Sequence, residues 1–397
     1  MVDAGVTAPV AAQGKRTALV GLLAAGFILT GFPTVIAGPI LPTFISRWGL
    51  TDSQAGLFFT VQFAASLAAV WITTGLTAWR GYRPGLVIGY ALSGIGLALL
   101  DAPTHAISLI AVAAYGMGYG LVVPPTNLAG AEVGGAGMVS LLNFAWGIGA
   151  VACAPMVSLA LRLHRLTGLL CMLAICAFVL AVSFLFVGIP VKHNEESADA
   201  SSAHQNRMAT PSLSITVIVA AIFFLYVGTE SSIGGWAAED AKRLEGHATA
   251  LTTMTPLFFY AGLMVVRGLA SLLLPRIGSL RSIIAAFTLA IAGTLVVMAA
   301  HGTHLAIAGF TIAGFGCASM YPIYISWFSH WYGPAARKLG GVFFSMASLG
   351  GSAMPWLVGF VSTETASLRI GLGVPLVGVV MMVVLVCALR RRALPML

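Results

Sequence analysis

The chain has 397 residues, 59% of them hydrophobic and only 8% charged, and its mean hydropathy of +0.97 excludes a soluble globular domain. The formal net charge of +8 arises from basic residues scattered through short segments. That scatter excludes a nucleic-acid-binding patch and makes the basic residues a report on membrane topology.

Apolar runs of about 20 residues recur along the whole length, long enough as helices to cross a hydrocarbon core of about 30 Å. The runs are continuously apolar and not alternating, so a transmembrane barrel is excluded. The expected fold is an all-α membrane protein of twelve transmembrane helices in two pseudo-symmetric six-helix bundles. Residues 1–16 form a polar N-terminal tail ending in Lys15 and Arg16, and the run after it is too long for a signal-peptide core, so it stays on as the first span. Spans are expected to start near Thr17, Asp52, Pro84, Thr104, Ala136 and Leu166 in an N-terminal bundle over residues 17–189. Residues 190–212 hold the one long polar segment, rich in Ser, Ala and mixed charge, which reads as a linker. A C-terminal bundle over 213–389 follows, with spans starting near Ser212, Thr249, Arg281, Thr303, Arg337 and Arg369, and residues 390–397 close the chain as a tail.

An even number of spans places both termini on one side. That side would carry Lys15, Arg16, Arg80, Arg83, Lys192, Arg207, Arg276, Arg281, Arg337, Lys338 and Arg390 to Arg392, against Arg47, Arg162, Arg165, Lys242, Arg243 and Arg369 on the other. Thirteen basic residues against six orient the termini, with the linker, to the cytoplasm of a cell whose inner membrane holds the protein. The cluster Arg162, His164, Arg165 is the exception. The halves also repeat: Gly116, Gly118 and Pro124 recur as Gly314, Gly316 and Pro322, each displaced by 198 residues.

Four strings narrow the reading. GPILPTF (Gly38 to Phe44), GLTDSQAGLFFTVQF (Gly49 to Phe63), LLNFAWGIGA (Leu141 to Ala150) and YVGTESSIGGW (Tyr226 to Trp236), within two matching halves, resemble the major facilitator superfamily. Within it they resemble the fucose–galactose–glucose proton symporter branch and its hexose-transporting relatives. The resemblance implies a central cavity lined by the first, fourth, seventh and tenth spans and exposed alternately to either side. Two departures stand out. The superfamily's acid in the loop after the second span is replaced by Trp79, and its counterpart in the second half by Pro275. The acids that the branch carries in its first and fourth spans fall near Gly38 and Leu121 here, so if the chain is proton-coupled the coupling must have moved elsewhere.

Glu230 is the acid well inside a span, and an ionisable group at that depth marks a solute or proton path. We expect it to be the proton-coupling residue and a substrate contact. Sugar hydroxyls need amide and carboxylate partners, and the sugar ring needs flat apolar faces. Gln62, Asn127, Asn143, Trp146, Tyr226, Tyr260, Tyr321 and Tyr324 are therefore expected as further substrate contacts, with Asn143 and Trp146 on one helical face. Gating residues are expected at Arg80, Arg83, Glu132, Arg267 and Arg276. Counted from the expected span starts, Arg267 and Glu230 fall near opposite ends of adjacent helices, so Arg267 is expected to bond carbonyls at the cytoplasmic gate, or to snorkel toward that surface, and not to bond the carboxylate. Glu239 and Asp240, beside Lys242 and Arg243, read as a surface charge cluster, and Trp236, near a span end, as a packing residue or an aromatic of the membrane interface.

His301 and His304 lack a third ligand for a metal. The five cysteines show no C-x-x-C spacing and read as small core residues. No nucleotide loop or catalytic triad is present, so no enzyme activity and no cofactor are expected. The resulting expectation is a monomeric secondary transporter in the lipid bilayer, moving a neutral monosaccharide, a hexose, with a proton. The alternatives are a uniporter, a sodium-coupled sugar carrier, or an exporter of drugs or other amphipathic molecules, whose fifth-span glycine signature is degenerate here at Ala150, Ala154 and Pro155.

Overall fold

The computed structural model describes residues 10–187, 213–332 and 336–392; the expected linker and the ends of both tails lie outside these. The regular structure of the described residues is helical throughout: α1 (Val10–Val35), α2 (Ala37–Trp48), α3 (Asp52–Arg80), α4 (Arg83–Leu99), α5 (His105–Arg162), α6 (Leu166–Phe186), α7 (Leu213–Glu245), α8 (Ala250–Ile277), α9 (Ser279–Ala299), α10 (Thr303–Tyr332), α11 (Ala336–Thr365), α12 (Leu368–Gly371) and α13 (Gly373–Arg392). Among the described residues eleven helical stretches are long and apolar enough to cross a membrane, and the 17-residue α4 is a shorter apolar helix.

These segments make twelve crossings. The first is α1 with α2, interrupted at Ile36, where Pro39 has no N–H for the carbonyl of Val35. The fourth and fifth are the two halves of α5, divided at Gly134 and Gly135. Gly135 has φ 63° and ψ −155°, a conformation open to glycine alone. The last is α12 with α13.

The internal repeat has a packing meaning. A Cβ on Gly116 would meet the carbonyl of Gln62 on α3 at 2.4 Å, and one on Gly118 would meet that of Gly89 on α4 at 2.6 Å. In the second half Gly314 lies against the carbonyl of Phe259 on α8 at 2.2 Å, and Gly316 against that of Ala286 on α9 at 2.7 Å. The fourth and tenth spans therefore touch their own second- and third-position neighbours in the same way.

The fit between α1 and α5 is equally close, with a Cβ on Gly149 falling 1.9 Å from the carbonyl of Ile28. Gly149→Ala should cost about 1–3 kcal/mol of overpacking. Gly21→Ala, which meets nothing within 4 Å, is the control. Thermal unfolding of the two variants in detergent checks this, with a lowered midpoint expected for the first only.

Every hydrogen bond described between the halves lies at the end away from the termini. Arg243 on α7 donates to both oxygens of Asp52 on α3, at 2.9 and 2.5 Å, and to Glu239 at 2.9 Å. Ser362 on α11 also donates to Asp52. Lys242 Nζ reaches Pro42 O at 3.1 Å and Ser46 Oγ at 2.8 Å on α2. Deeper in, Thr60 and Ser352 exchange two bonds, at 2.9 and 3.2 Å. One end of the molecule is thus latched shut.

This overturns the surface reading of two acids. Glu239 and Asp240 are each 2% exposed. Trp236 is fully buried beside Phe59, and its Nε1 donates to Pro355 O at 2.9 Å, so of its two expected places, packing and the membrane interface, it takes the first. The reason is the length of α7, which continues as helix to Glu245 and carries its last turns into the contact with α2, α3 and α11.

Asp52→Asn should weaken that latch. Hydrogen bonds to charged groups contribute about 1.5–3 kcal/mol, so opening should increase by about tenfold or more. The check is the labelling rate of Thr60→Cys by an impermeant thiol reagent applied at the latched end, and an unchanged rate would remove Asp52 from the latch.

Candidate functional site

Where α7, α8 and α10 meet, three side chains converge. Tyr226 donates a short hydrogen bond to Glu230 Oε2, one helical turn later on the same face of α7. Arg267 Nη2 on α8 donates to the Tyr226 hydroxyl at 2.7 Å and to Glu230 Oε2 at 3.1 Å. Tyr226 also lies 3.3 Å from the carbonyl of Cys317 on α10. The side chains of Glu230 and Arg267 keep 17% and 25% of their surface, so the pair is neither sealed off nor freely solvated.

The Arg267–Glu230 bond corrects the depth argument. Glu230 lies about 15 residues before the end of α7 and Arg267 about 17 residues after the start of α8, which puts both about 22–26 Å from the turn that joins the helices. Measuring from the other end of the seventh span, and treating that span as only as long as a membrane is thick, separated two residues that are level.

Aromatic rings surround the pair. Tyr321 stacks on Tyr226 with centroids 5.8 Å apart, and its ring lies 5.8 Å from the Arg267 guanidinium. Tyr324 meets Tyr226 edge-on at 5.9 Å, and the Tyr260 hydroxyl packs against Gly234 on α7. Tyr119 on α5, unforeseen from sequence, brings the first half to the site, being close enough to feel the charges of Glu230 and Arg267. The repeat displacement of 198 residues equates it with Cys317, and that was the available signal.

The first-half candidates divide. Gln62 is 3% exposed; its Nε2 donates to Thr34 O at 2.8 Å, and its Oε1 accepts from Tyr115 at 3.4 Å. It braces α1 against α5. Trp146 Nε1 donates to Thr34 Oγ1 at 3.4 Å. Asn143 donates to Asn127 Oδ1 at 3.0 Å, joining the two halves of α5, and remains exposed.

The gating candidates at the terminus-bearing end make no ion pair across the halves among the described residues. Arg80 lies over its neighbour Trp79 at 4.0 Å, Arg83 donates to Val187 O at 3.0 Å, and Arg276 is exposed at the end of α8. Glu132 accepts from Tyr82 at 2.5 Å. Burial, then the adjacent carboxylate, pushes the Tyr82 hydroxyl above the ordinary tyrosine range. Among the described residues no group of three or more His, Cys, Asp or Glu side chains is placed to hold a metal ion.

With two six-helix halves latched at one end around a polar centre, the comparison with known families is decisive. Residues 23–355 match the model of the Major Facilitator Superfamily. The chain belongs to that family. This major facilitator is a multi-pass membrane transporter and not an enzyme. It is 25% identical over 400 residues to a protein of Helicobacter pylori provisionally named a glucose/galactose transporter, covering 91% of this chain and 94% of that one. It is 23% identical over 301 residues to an uncharacterized MFS-type transporter of Yersinia pestis, covering 75% and 77%. Its fold is similar to that of the fucose:proton symporter of E. coli, with a TM-score of 0.61 at 17% identity over 94% of this chain and 98% of that one. The inward-open xylose transporter XylE of E. coli gives 0.72 at 14% identity, over 92% and 95%.

Proposed function

We propose that this major facilitator moves a neutral monosaccharide, a hexose, across a cell inner membrane together with a proton, with both termini cytoplasmic. The observation that carries the reading is the Tyr226–Glu230–Arg267 cluster, whose charges cancel where α7, α8 and α10 meet. A site without net charge disfavours ionic solutes, and its donors, acceptors and tyrosine faces suit a polyol ring. The named relative in Helicobacter pylori and the solved sugar transporters of the same fold are consistent with this class of cargo.

Tyr321, Tyr324, Tyr260, Asn127, Asn143 and Trp146 complete the proposed contact surface. Gln62 serves it indirectly by holding Thr34, to which Trp146 is bonded. Glu230 couples the proton because a proton on Oε2 would compete with Arg267 and Tyr226 for the same atom. The latched end is then the outer one, and solute leaves inward from the state described.

Reconstitution in liposomes with labelled hexoses, with and without an imposed pH gradient, tests this. The expected result is accumulation above the external concentration only when the outside is acidic. Uptake that needs sodium, or that never exceeds equilibration, would replace proton symport by the corresponding alternative. Failure of every hexose to enter would remove the cargo class.

A further inference from the structure

We propose that Tyr226 is a positioning residue that reads the protonation state of Glu230 and passes it to α10. The proposal rests on the reading of Glu230 as the proton site. Tyr226 is 2% exposed, and its ring is held between Tyr321 and Tyr324, so the hydroxyl oxygen has a fixed position and only its hydrogen can turn. That one hydrogen has two acceptors within reach: Glu230 Oε2 and, at 3.3 Å, the carbonyl of Cys317. It can serve one at a time.

While Glu230 is ionised, the phenol donates to the carboxylate and accepts from Arg267. When Oε2 takes a proton from solvent it becomes a donor, and the shared bond reverses. Glu230 then donates to the phenol oxygen, and the phenol hydrogen turns to Cys317 O. At the same step Arg267 loses the charge that held it at 3.1 Å.

One proton thus loosens the α7–α8 ion pair and adds a bond from α7 to α10. The target is well placed. Pro322 has no N–H for the carbonyl of Ala318, so the turn beside Cys317 lacks a helical bond and is where α10 bends most easily. The titratable or charged groups around the cluster of Tyr226, Glu230 and Arg267 are Tyr260 on α8, Cys317, Tyr321 and Tyr324 on α10, and Tyr119 on α5, beside Glu230 on α7 and Arg267 on α8 themselves. Among them Glu230 is the only carboxylate.

Tyr226→Phe keeps the ring and removes the hydroxyl. A carboxylate that loses a hydrogen-bond donor is protonated more readily, so the pH midpoint of sugar exchange in liposomes should move up by about one unit, and uphill accumulation should fall. Replacing Tyr226 by 3-fluorotyrosine keeps the hydroxyl as a stronger donor and should move the midpoint down. It carries the test alone if the phenylalanine variant does not fold.

Midpoints that stay at the wild-type value in the folded variants overturn the role of Tyr226. The reading of Glu230 is judged separately by Glu230→Gln. Loss of the pH dependence in that variant with unchanged midpoints in the Tyr226 variants leaves Glu230 as the proton site without the switch. Retained pH dependence in Glu230→Gln removes both.

Discussion

Glu230→Gln should abolish accumulation of sugar against its gradient while leaving exchange down the gradient measurable. The amide is nearly the same shape as the acid and still accepts a hydrogen bond from Tyr226 and Arg267 through its Oε1, so the cluster can remain assembled. It cannot gain or lose a proton. Coupling therefore disappears although a passage remains, and the internal sugar concentration should settle at about the external value whatever pH gradient is imposed. Labelled-sugar uptake in liposomes, with counterflow as the companion measurement, gives both numbers. Accumulation at the wild-type level would move the proton site away from Glu230.

Arg267→Met should be the most destabilising of the single changes at the site. It leaves the carboxylate facing Tyr226 without its cation, and removing one partner of a buried pair costs about 3–5 kcal/mol. The partial exposure of both side chains places the expected loss at the lower end, about 3 kcal/mol. The double variant with Glu230→Gln removes the stranded charge, and most of that stability should return, because residues in direct contact couple strongly. Uphill transport should not return. Thermal unfolding in detergent of the wild type, both single variants and the double variant forms the cycle. A single variant as stable as the wild type would show that the ion pair adds nothing to the fold.

The twelve crossings were readable because the membrane constrains sequence strongly. Each crossing needs a long apolar run, and the runs expected to start at Asp52, Leu166 and Thr303 begin at or next to helix starts. The duplicated glycines were readable too, since close helix contact requires an absent side chain wherever it occurs. Glu230 stood out for a related reason: an acid among apolar residues is conspicuous in one dimension. The latch was not. Asp52 looked like a helix-start residue, which it also is, and Arg243 looked like one of several outer cations.

Composition and order along the chain determined that this protein spans a membrane as two related bundles, because transfer free energy is summed locally over each segment of about 20 residues. Tertiary structure decided who meets whom. It paired Arg267 with Glu230, joined Asp52 to Arg243, buried Glu239, Asp240 and Trp236, and set the Gln62 amide to brace α1 against α5. Those outcomes depend on helix lengths beyond the membrane core, on crossing depth and on rotation about each helix axis. Hydropathy is nearly blind to all three, because a shift of one turn changes every neighbour while leaving the average unchanged.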